Sequence, residues 1–396
     1  MLKVLYYILS FYYKAETVWM RILPCKNEDS ILLMRMDNIG DFILWLSSAK
    51  EFRRYYNKKR LVLLCNGAST QIAKQTGLFD EIISVDTQQL FKNPFYRIKF
   101  FTLYGKRKFD KIISPAYTRE YFSNDLTVRN FKAKEKIGFD GNYYNTISKL
   151  RGFSFSLQTS EKISRRLNIK GNRYYTELIP SSGKMMMELG RNAEFIQKLF
   201  NTDFRSCLYE VSFELPEIKN LPSRYAVMFI GSSSKVKLWQ NEKYAYIINN
   251  TDIDFVILGS GKDGVTWQNI SKFVDKNKKV VDLTGKTSLT ELFSVIKGAE
   301  FMLTNDSVAS HIAPVVRTKS VVLLPGSHYG RFHPYEVENI SNEDKEYLPV
   351  VACHFMDCYN CNNICIKSSD KNKSWLCIEG ITKEQVMDKI NEIRKN

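Results

Sequence analysis

The strongest constraint on this chain is an alternation that runs its course twice. Short runs of β-branched and aliphatic residues at 30–36, 60–65, 81–85 and 110–114 are separated by longer amphipathic stretches such as FILWLSSAKEFRRYY. Strand-length runs alternating with helix-length patterns predict βαβ units and a parallel sheet covered on both faces. The signal weakens between about 140 and 215, where MMMELGRNAEFIQKLF (185–200) reads as a helix and ELPEIKNLPSR (214–224) as a polar linker. It then restarts with YAVMFI, DFVILG, KVVDL, FMLTND and SVVLLPG, beginning at 225, 254, 279, 301 and 320. The expectation is an α/β chain of two Rossmann-like domains, 25–215 and 222–396. A ligand cleft should face the carboxyl ends of the strands. At 396 residues and 44% hydrophobic content the chain can fill two cores.

Residues 1–24 stand apart. VLYYILSFYY (4–13) is uncharged and flanked by Lys3 and Lys14, with Trp19 and Arg21 soon after. It is shorter than the roughly 20 residues that span a bilayer, and no small-residue cleavage pattern follows it as in a signal peptide. An aromatic, weakly cationic segment lying in the membrane interface fits, as does a helix packed on the body of the protein. The net charge of +16 favours anionic partners: nucleotide phosphates, nucleic acid or an anionic membrane surface. Nucleic acid usually brings a basic stripe interleaved with aromatics, which is not evident, so it is not expected as a partner. RIKFFTLYGKRKFDK (97–111) comes nearest, and reads as a surface for a phosphorylated acceptor or as a solvated helix face.

Three segments carry chemistry. RMDNIGDFIL (35–44) sets Asp37 and Asp41 beside a glycine where a strand feeds a helix. GSSSKVKLW (231–239) offers Gly231 for close backbone approach, the hydroxyls of Ser232, Ser233 and Ser234, and the charges of Lys235 and Lys237. In LTNDSVASHIA (303–313), Asn305, Asp306 and Ser307 supply cap-type groups at a helix start, with His311 one turn beyond Ser307. A fourth segment, GSGKDG (259–264), is literally G-x-G-x-x-G with Asp282 about 20 residues on, so an NAD(P)-dependent oxidoreductase is an alternative. Cys353, Cys358, Cys361, Cys365 and Cys377 crowd the C-terminal end. Zinc, a disulfide and free thiols are all open there. The cluster reads as structural, because no histidine base is evidently placed to activate a thiol.

In this order, ILLMRMDNIGDFIL, GSSSKVKLW and LTNDSVASHIA…VVLLPGS resemble glycosyltransferase family 9, the lipopolysaccharide heptosyltransferases. The Cys-rich tail and IEGITKEQVMDKI resemble that family's C-terminus, and the resemblance spans about 30–395 with little from 140–215. It implies a GT-B fold, with two Rossmann-like domains facing each other across a cleft. It also implies inverting transfer from a nucleotide-diphosphate sugar, ADP-heptose first among them, with no cofactor or divalent metal. The acceptor would be a lipid-linked oligosaccharide of the lipopolysaccharide type. The protein would then be cytoplasmic and peripheral on the inner face of the cytoplasmic membrane. By the same resemblance Asp41 is the catalytic aspartate and Asp263 meets the nucleotide ribose, while Ser232, Ser233, Lys237, Asp306, Ser307 and His311 bind the donor. Val308 stands where the family usually has glycine, and LPGSHYGRFHPY replaces a Gly-Pro-Thr turn. The chemistry agrees with those roles, since inversion needs a base for the acceptor hydroxyl and a stabilised leaving group. Asp37 then serves as polar support. A membrane-surface protein without catalysis is the remaining alternative.

Overall fold

The computed structural model describes residues 18 and 24–395, apart from 153–154, 233, 364, 368–369 and 371–372. The N-terminal segment, save residues 18 and 24, and Ser233 therefore lie outside the described residues. The chain forms two compact units, each built on a parallel sheet.

The first unit comprises Met1–Asn38, Ala49–Gly183 and Glu194–Asp203. Its strands are β1 (Lys26–Asn27), β2 (Ser30–Arg35), β3 (Arg60–Asn66), β4 (Glu81–Val85), β5 (Arg107–Ser114), β6 (Lys132–Asp140) and β7 (Glu177–Pro180). They run in the order β4-β3-β2-β5-β6-β7, with β1 added beside β5. Every residue of β2, SILLMR, is buried, as a central strand covered on both faces requires. Leu32 pairs with Val62 on one side and Ile112 on the other. Around them Met34, Leu64, Ile83, Phe100, Phe101 and Phe131 form one core cluster. The direction of winding reverses between β2 and β5, and ligands of doubly wound sheets bind where such a reversal falls. At the opposite ends of the strands, Arg107 joins Glu28 (2.6 Å) and Glu81 (2.7 Å) in one ion-pair cluster. The hydrogen bonds from Arg107 hold the Glu28 carboxyl below its ordinary value.

The loop after β5 lies at the reversal and is pinned by its neighbour after β6. The Arg119 amide donates to the Asn142 carbonyl (2.9 Å). The buried Arg119 side chain lies between the rings of Tyr143 (4.7 Å) and Tyr175 (4.9 Å), 3.9 Å from the buried Asp125. Burial raises the Asp125 carboxyl to about 6, against the pull of Arg119.

The second unit comprises Ile39–Ser48, Lys184–Ala193 and Phe204–Asn396. Its strands are β8 (Tyr225–Phe229), β9 (Asp254–Leu258), β10 (Val280–Asp282), β11 (Met302–Asn305), β12 (Ser320–Leu323) and β13 (Val350–Ala352). Their order, β10-β9-β8-β11-β12-β13, again reverses next to the first strand, between β8 and β11. The five runs expected to be strands in this part all are. Val386, Ile390 and Ile393 of the Lys383–Lys395 helix pack into the core with Met228, Ile257 and Leu323. Two helices divide between the units: Ile39–Tyr55 gives its first ten residues to the second unit, and Glu188–Phe200 its first six. Leu44, Met187, Leu189 and Phe332 close a small apolar cluster there. Among the described residues no helix is long and apolar enough to cross a membrane.

Gly141 tests the pinning of the loop after β5. A Cβ at this position would lie 1.8 Å from the Tyr117 carbonyl oxygen, a backbone atom that cannot rotate away. Gly141→Ala should destabilise the protein by about 2–3 kcal/mol or more. Urea denaturation checks this, and an unchanged midpoint would refute it.

Candidate active site at the reversal of the second sheet

The two loops that leave β8 and β11 meet at the reversal, and a buried asparagine stitches them together. Asn305, at the end of β11, donates to the carbonyls of Ile230 (3.0 Å) and Gly231 (3.4 Å) and accepts from the Tyr244 hydroxyl (2.6 Å). Its side chain is thereby committed across the sheet and does not cap the following helix, contrary to the capping role expected from sequence. Gly231 is required by close packing, since a Cβ there would lie 2.7 Å from the Phe229 ring and 3.0 Å from Asp263.

Asp306 follows Asn305 and is buried. Burial alone would raise its carboxyl. Hydrogen bonding from His328 and the charge of Lys237 outweigh burial and hold it well below the usual carboxylate range. Lys237 is also buried, with Nζ 3.6 Å from Asp306 Oδ2 and 3.4 Å from each ring nitrogen of His328. Burial lowers the Lys237 ammonium from its ordinary value, while Asp306 and Asp41 oppose that shift. With Asp306 ionised, His328 Nδ1 donates to it, and His328 Nε2 accepts from Asn363 Nδ2 (2.9 Å). His333 lies on the other carboxylate oxygen, 3.9 Å away, and meets the Ser310 hydroxyl at 3.1 Å.

His311 is buried one turn into the Val308–Val315 helix. Its Nδ1 meets the Tyr335 hydroxyl (2.9 Å), and its ring stacks on His333 with centroids 5.2 Å apart. Burial lowers His311 to about 3 and His333 to about 4, so both rings are neutral at neutral pH. Ser307 is the N-cap residue, yet its side chain does not cap this helix, and its Oγ lies 3.2 Å from Thr304 Oγ1. A helix start without a cap from its own N-cap side chain favours an anion there.

Asp41 occupies the first turn of the Ile39–Tyr55 helix, half-buried, in the portion that belongs to this unit. It is near enough for its charge to act on Lys237. The preceding Gly40 is packed on His311, where a Cβ would come within 2.8 Å of the ring. Asp37 forms a 2.9 Å ion pair with the buried Arg35 at the end of β2, in the first unit. Two carboxylates four residues apart therefore differ in their partners: Asp37 pairs with arginine, and the charge of Asp41 acts on Lys237.

Ser232 is partly exposed at the end of β8, where its hydroxyl accepts from the Ser234 amide (3.4 Å). Asp263 caps its own turn, accepting from the amide and hydroxyl of Ser260 (both 2.7 Å). The GSGKDG loop follows β9, one strand away from the reversal, and the Asp282 carboxylate is engaged by the amide and hydroxyl of Thr284 (2.9 and 2.7 Å). A dinucleotide fingerprint belongs at the first strand of its sheet, which here is β8.

Sequence reasoning missed His328, His333 and Tyr335, which lie in a loop without periodic pattern. The available signal was composition: the chain has four histidines, and three of them surround Asp306. Asp306, His311 and His333 bring their donor atoms within 4.8 Å of one another, close enough for a metal ion. Tyr335, Ser310, His328 and Lys237 already engage those groups, and the lysine opposes a second cation. In the C-terminal cluster, no disulfide joins any of the eight cysteines. Cys358, Cys365 and Cys377 lie near enough to Cys361 to add to burial, and its thiol is pushed up to about 11. Cys353 acts in the same way on Tyr359.

Two Rossmann-like units, each on a parallel sheet, make up a fold of the GT-B type. Residues 175–352 match the model of glycosyltransferase family 9 (heptosyltransferase). Lipooligosaccharide heptosyltransferase 2 of Campylobacter jejuni serotype O:2 is 20% identical, over 90% of this chain and 96% of its own. Among solved structures, a family 9 glycosyltransferase from Veillonella parvula aligns with a TM-score of 0.66 and 16% identity, covering 94% of this chain and 99% of that one. The E. coli heptosyltransferase WaaC with ADP aligns at 0.60 and 14%, covering 92% and 99%. The E. coli ADP-heptose LPS heptosyltransferase II aligns at 0.58 and 14%, covering 92% and 98%. Over most of its length the chain is thus similar to heptosyltransferases of glycosyltransferase family 9.

The neutral histidines make a pH prediction. A histidine whose folded value is depressed from 6.5 to about 4 takes up its proton in the unfolded chain first. Stability should therefore fall as pH drops from 6.5 towards 4. The slope is at most about 1.4 kcal/mol per pH unit for each such group. Asp125, raised to about 6, acts in the opposite sense, so the informative quantity is the difference between the wild type and His333→Gln. Urea titrations between about pH 5 and 6.5 should show the shallower loss in the variant. Parallel curves would refute the assignment.

Proposed function

We propose that the protein transfers a heptose from ADP-heptose, with inversion, to a lipid-linked oligosaccharide of the lipopolysaccharide type. The observation that carries this reading is the buried Lys237–Asp306–His328 cluster at the sheet reversal, with the Asp41 carboxylate in electrostatic reach. Residues 222–396 would bind the donor and 25–215 the acceptor. The related E. coli protein, solved with ADP and with ADP-2-deoxy-2-fluoro heptose, supports an adenine nucleotide sugar as donor.

The reaction follows from these groups. Asp41 accepts the proton of the acceptor hydroxyl as its oxygen forms a bond to the anomeric carbon. The bond from that carbon to the diphosphate breaks on the opposite face, and ADP leaves with the electron pair. Lys237, the Ser232–Ser233 loop and the amides at the start of the Val308–Val315 helix stabilise the developing phosphate charge. Asp306 holds Lys237 in place, and His328 holds Asp306. Asp263, Ser307 and His311 complete the donor site. The chemistry supplied by these side chains calls for no cofactor. An anionic inner-leaflet surface, where such an acceptor resides, is the proposed place of action. The net charge of +16 suits it.

Calorimetric titration with ADP, UDP, GDP and NADH, repeated on two variants, tests the reading. ADP should bind best, and Lys237→Ala should weaken it about 10-fold to 100-fold. Asp41→Asn should leave ADP affinity unchanged and lower kcat about 100-fold to 10,000-fold. Preference for UDP or GDP would change the donor. Binding of NADH alone would overturn the proposal.

A further inference from the structure

We propose that the exposed face of the Pro94–Tyr104 helix docks the protein on an anionic lipid bilayer. The inference rests on the membrane-surface reading above and locates the contact within the first unit.

This helix is apolar on both faces. On one face Phe100 and Phe101 enter the core, and the buried Arg97 guanidinium donates to the carbonyls of Leu90 (2.9 Å) and Phe91 (2.7 Å). On the other, Phe95 is 82% exposed, Leu103 62% and Ile98 39%. A helix that is hydrophobic all round is normally buried all round, and a row of large exposed apolar side chains marks a contact surface. The helix is also firmly held, since the Asn93 side chain accepts from the amides of Phe95 (3.0 Å) and Tyr96 (3.2 Å) and Pro94 opens the first turn.

Charge selects the occupant. From Thr87 to Phe109 the sequence has no aspartate or glutamate, while Lys99 sits within the apolar face and Lys92 and Lys106 at its ends, all exposed. Arg107, by contrast, is spent on Glu28 and Glu81. Aromatic and aliphatic side chains framed by lysines are the composition of a helix that lies in a headgroup layer, its lysine stems extended towards phosphate. The Lys26 amide donates to the Lys106 carbonyl (2.8 Å), so β1 starts beside the C-terminal end of this helix.

Co-sedimentation of the full chain with phosphatidylcholine vesicles, with and without phosphatidylglycerol, tests the proposal. Wild type should bind the phosphatidylglycerol vesicles and be released by salt. Replacing Lys92, Lys99 and Lys106 by glutamine should weaken binding about fivefold per lysine, on the order of 100-fold together. Phe95→Ser with Leu103→Ser should weaken it at least tenfold for each side chain. The glutamine variant leaves the core untouched, so a folding defect in the serine variant would not shield the proposal. If both variants bind like wild type, this helix is not the contact while the membrane reading stands. If wild type itself ignores the anionic vesicles, both fall. If light scattering shows instead that wild type is a dimer and the serine variant a monomer, with vesicle binding unchanged, the face is a contact between copies of the chain and the proposal is overturned.

Discussion

A carboxylate buried in a protein has to be compensated, and in the second unit that requirement falls on Asp306. An isolated buried charge would cost several kcal/mol and would protonate instead. Here it stays ionised because Lys237 comes from the loop after β8, His328 and His333 from the loop after β12, and the backbone of β11 fixes the carboxylate itself. Segments distant in sequence are thus tied to one point. The arrangement is demanding: removal of any one partner leaves another charge or donor buried without its complement.

The same point explains how the sheet order becomes a site. Reversal between β8 and β11 leaves their carboxyl ends without a helix crossing over them, and Asn305 joins the two loops that emerge. The first unit repeats the reversal between β2 and β5, where the loop after β5 is fixed against Gly141. The IGD turn follows β2, but contacts group its helical start with the second unit. Asp41, in the first turn of that helix, thereby lies within electrostatic reach of Lys237.

Much of this was legible in the sequence, for identifiable reasons. Central strands such as SILLMR and DFVIL are continuous apolar runs, and parallel strands covered on both faces must be. β6 and β7 were not legible: KAKEKIGFD carries alternating charges near the sheet edge, and ELIP is short and ends in proline. β1 and β13 are two and three residues long. In the site, Asp41, Lys237 and Asp306 stood out because each follows a readable strand. His328 and His333 did not, since an irregular loop has no period to reveal its inward side, and only the fold brings them to Asp306. Asn305 misled in another way. Cap-type residues at a helix start usually cap, and nothing local indicates that this one reaches across to β8. GSGKDG misled because a glycine pattern does not report where in the sheet its strand lies.

The concentration of imidazoles around one carboxylate has a practical consequence. With a single further histidine in the chain, His354, nearly every imidazole signal the protein gives in a magnetic-resonance spectrum originates in the cluster around Asp306. Their hydrogen-bond partners differ, because His328 meets the carboxylate while His311 and His333 meet hydroxyls. The protein therefore carries its own reporter group, distributed over three rings, for the surroundings of Asp306 and Lys237.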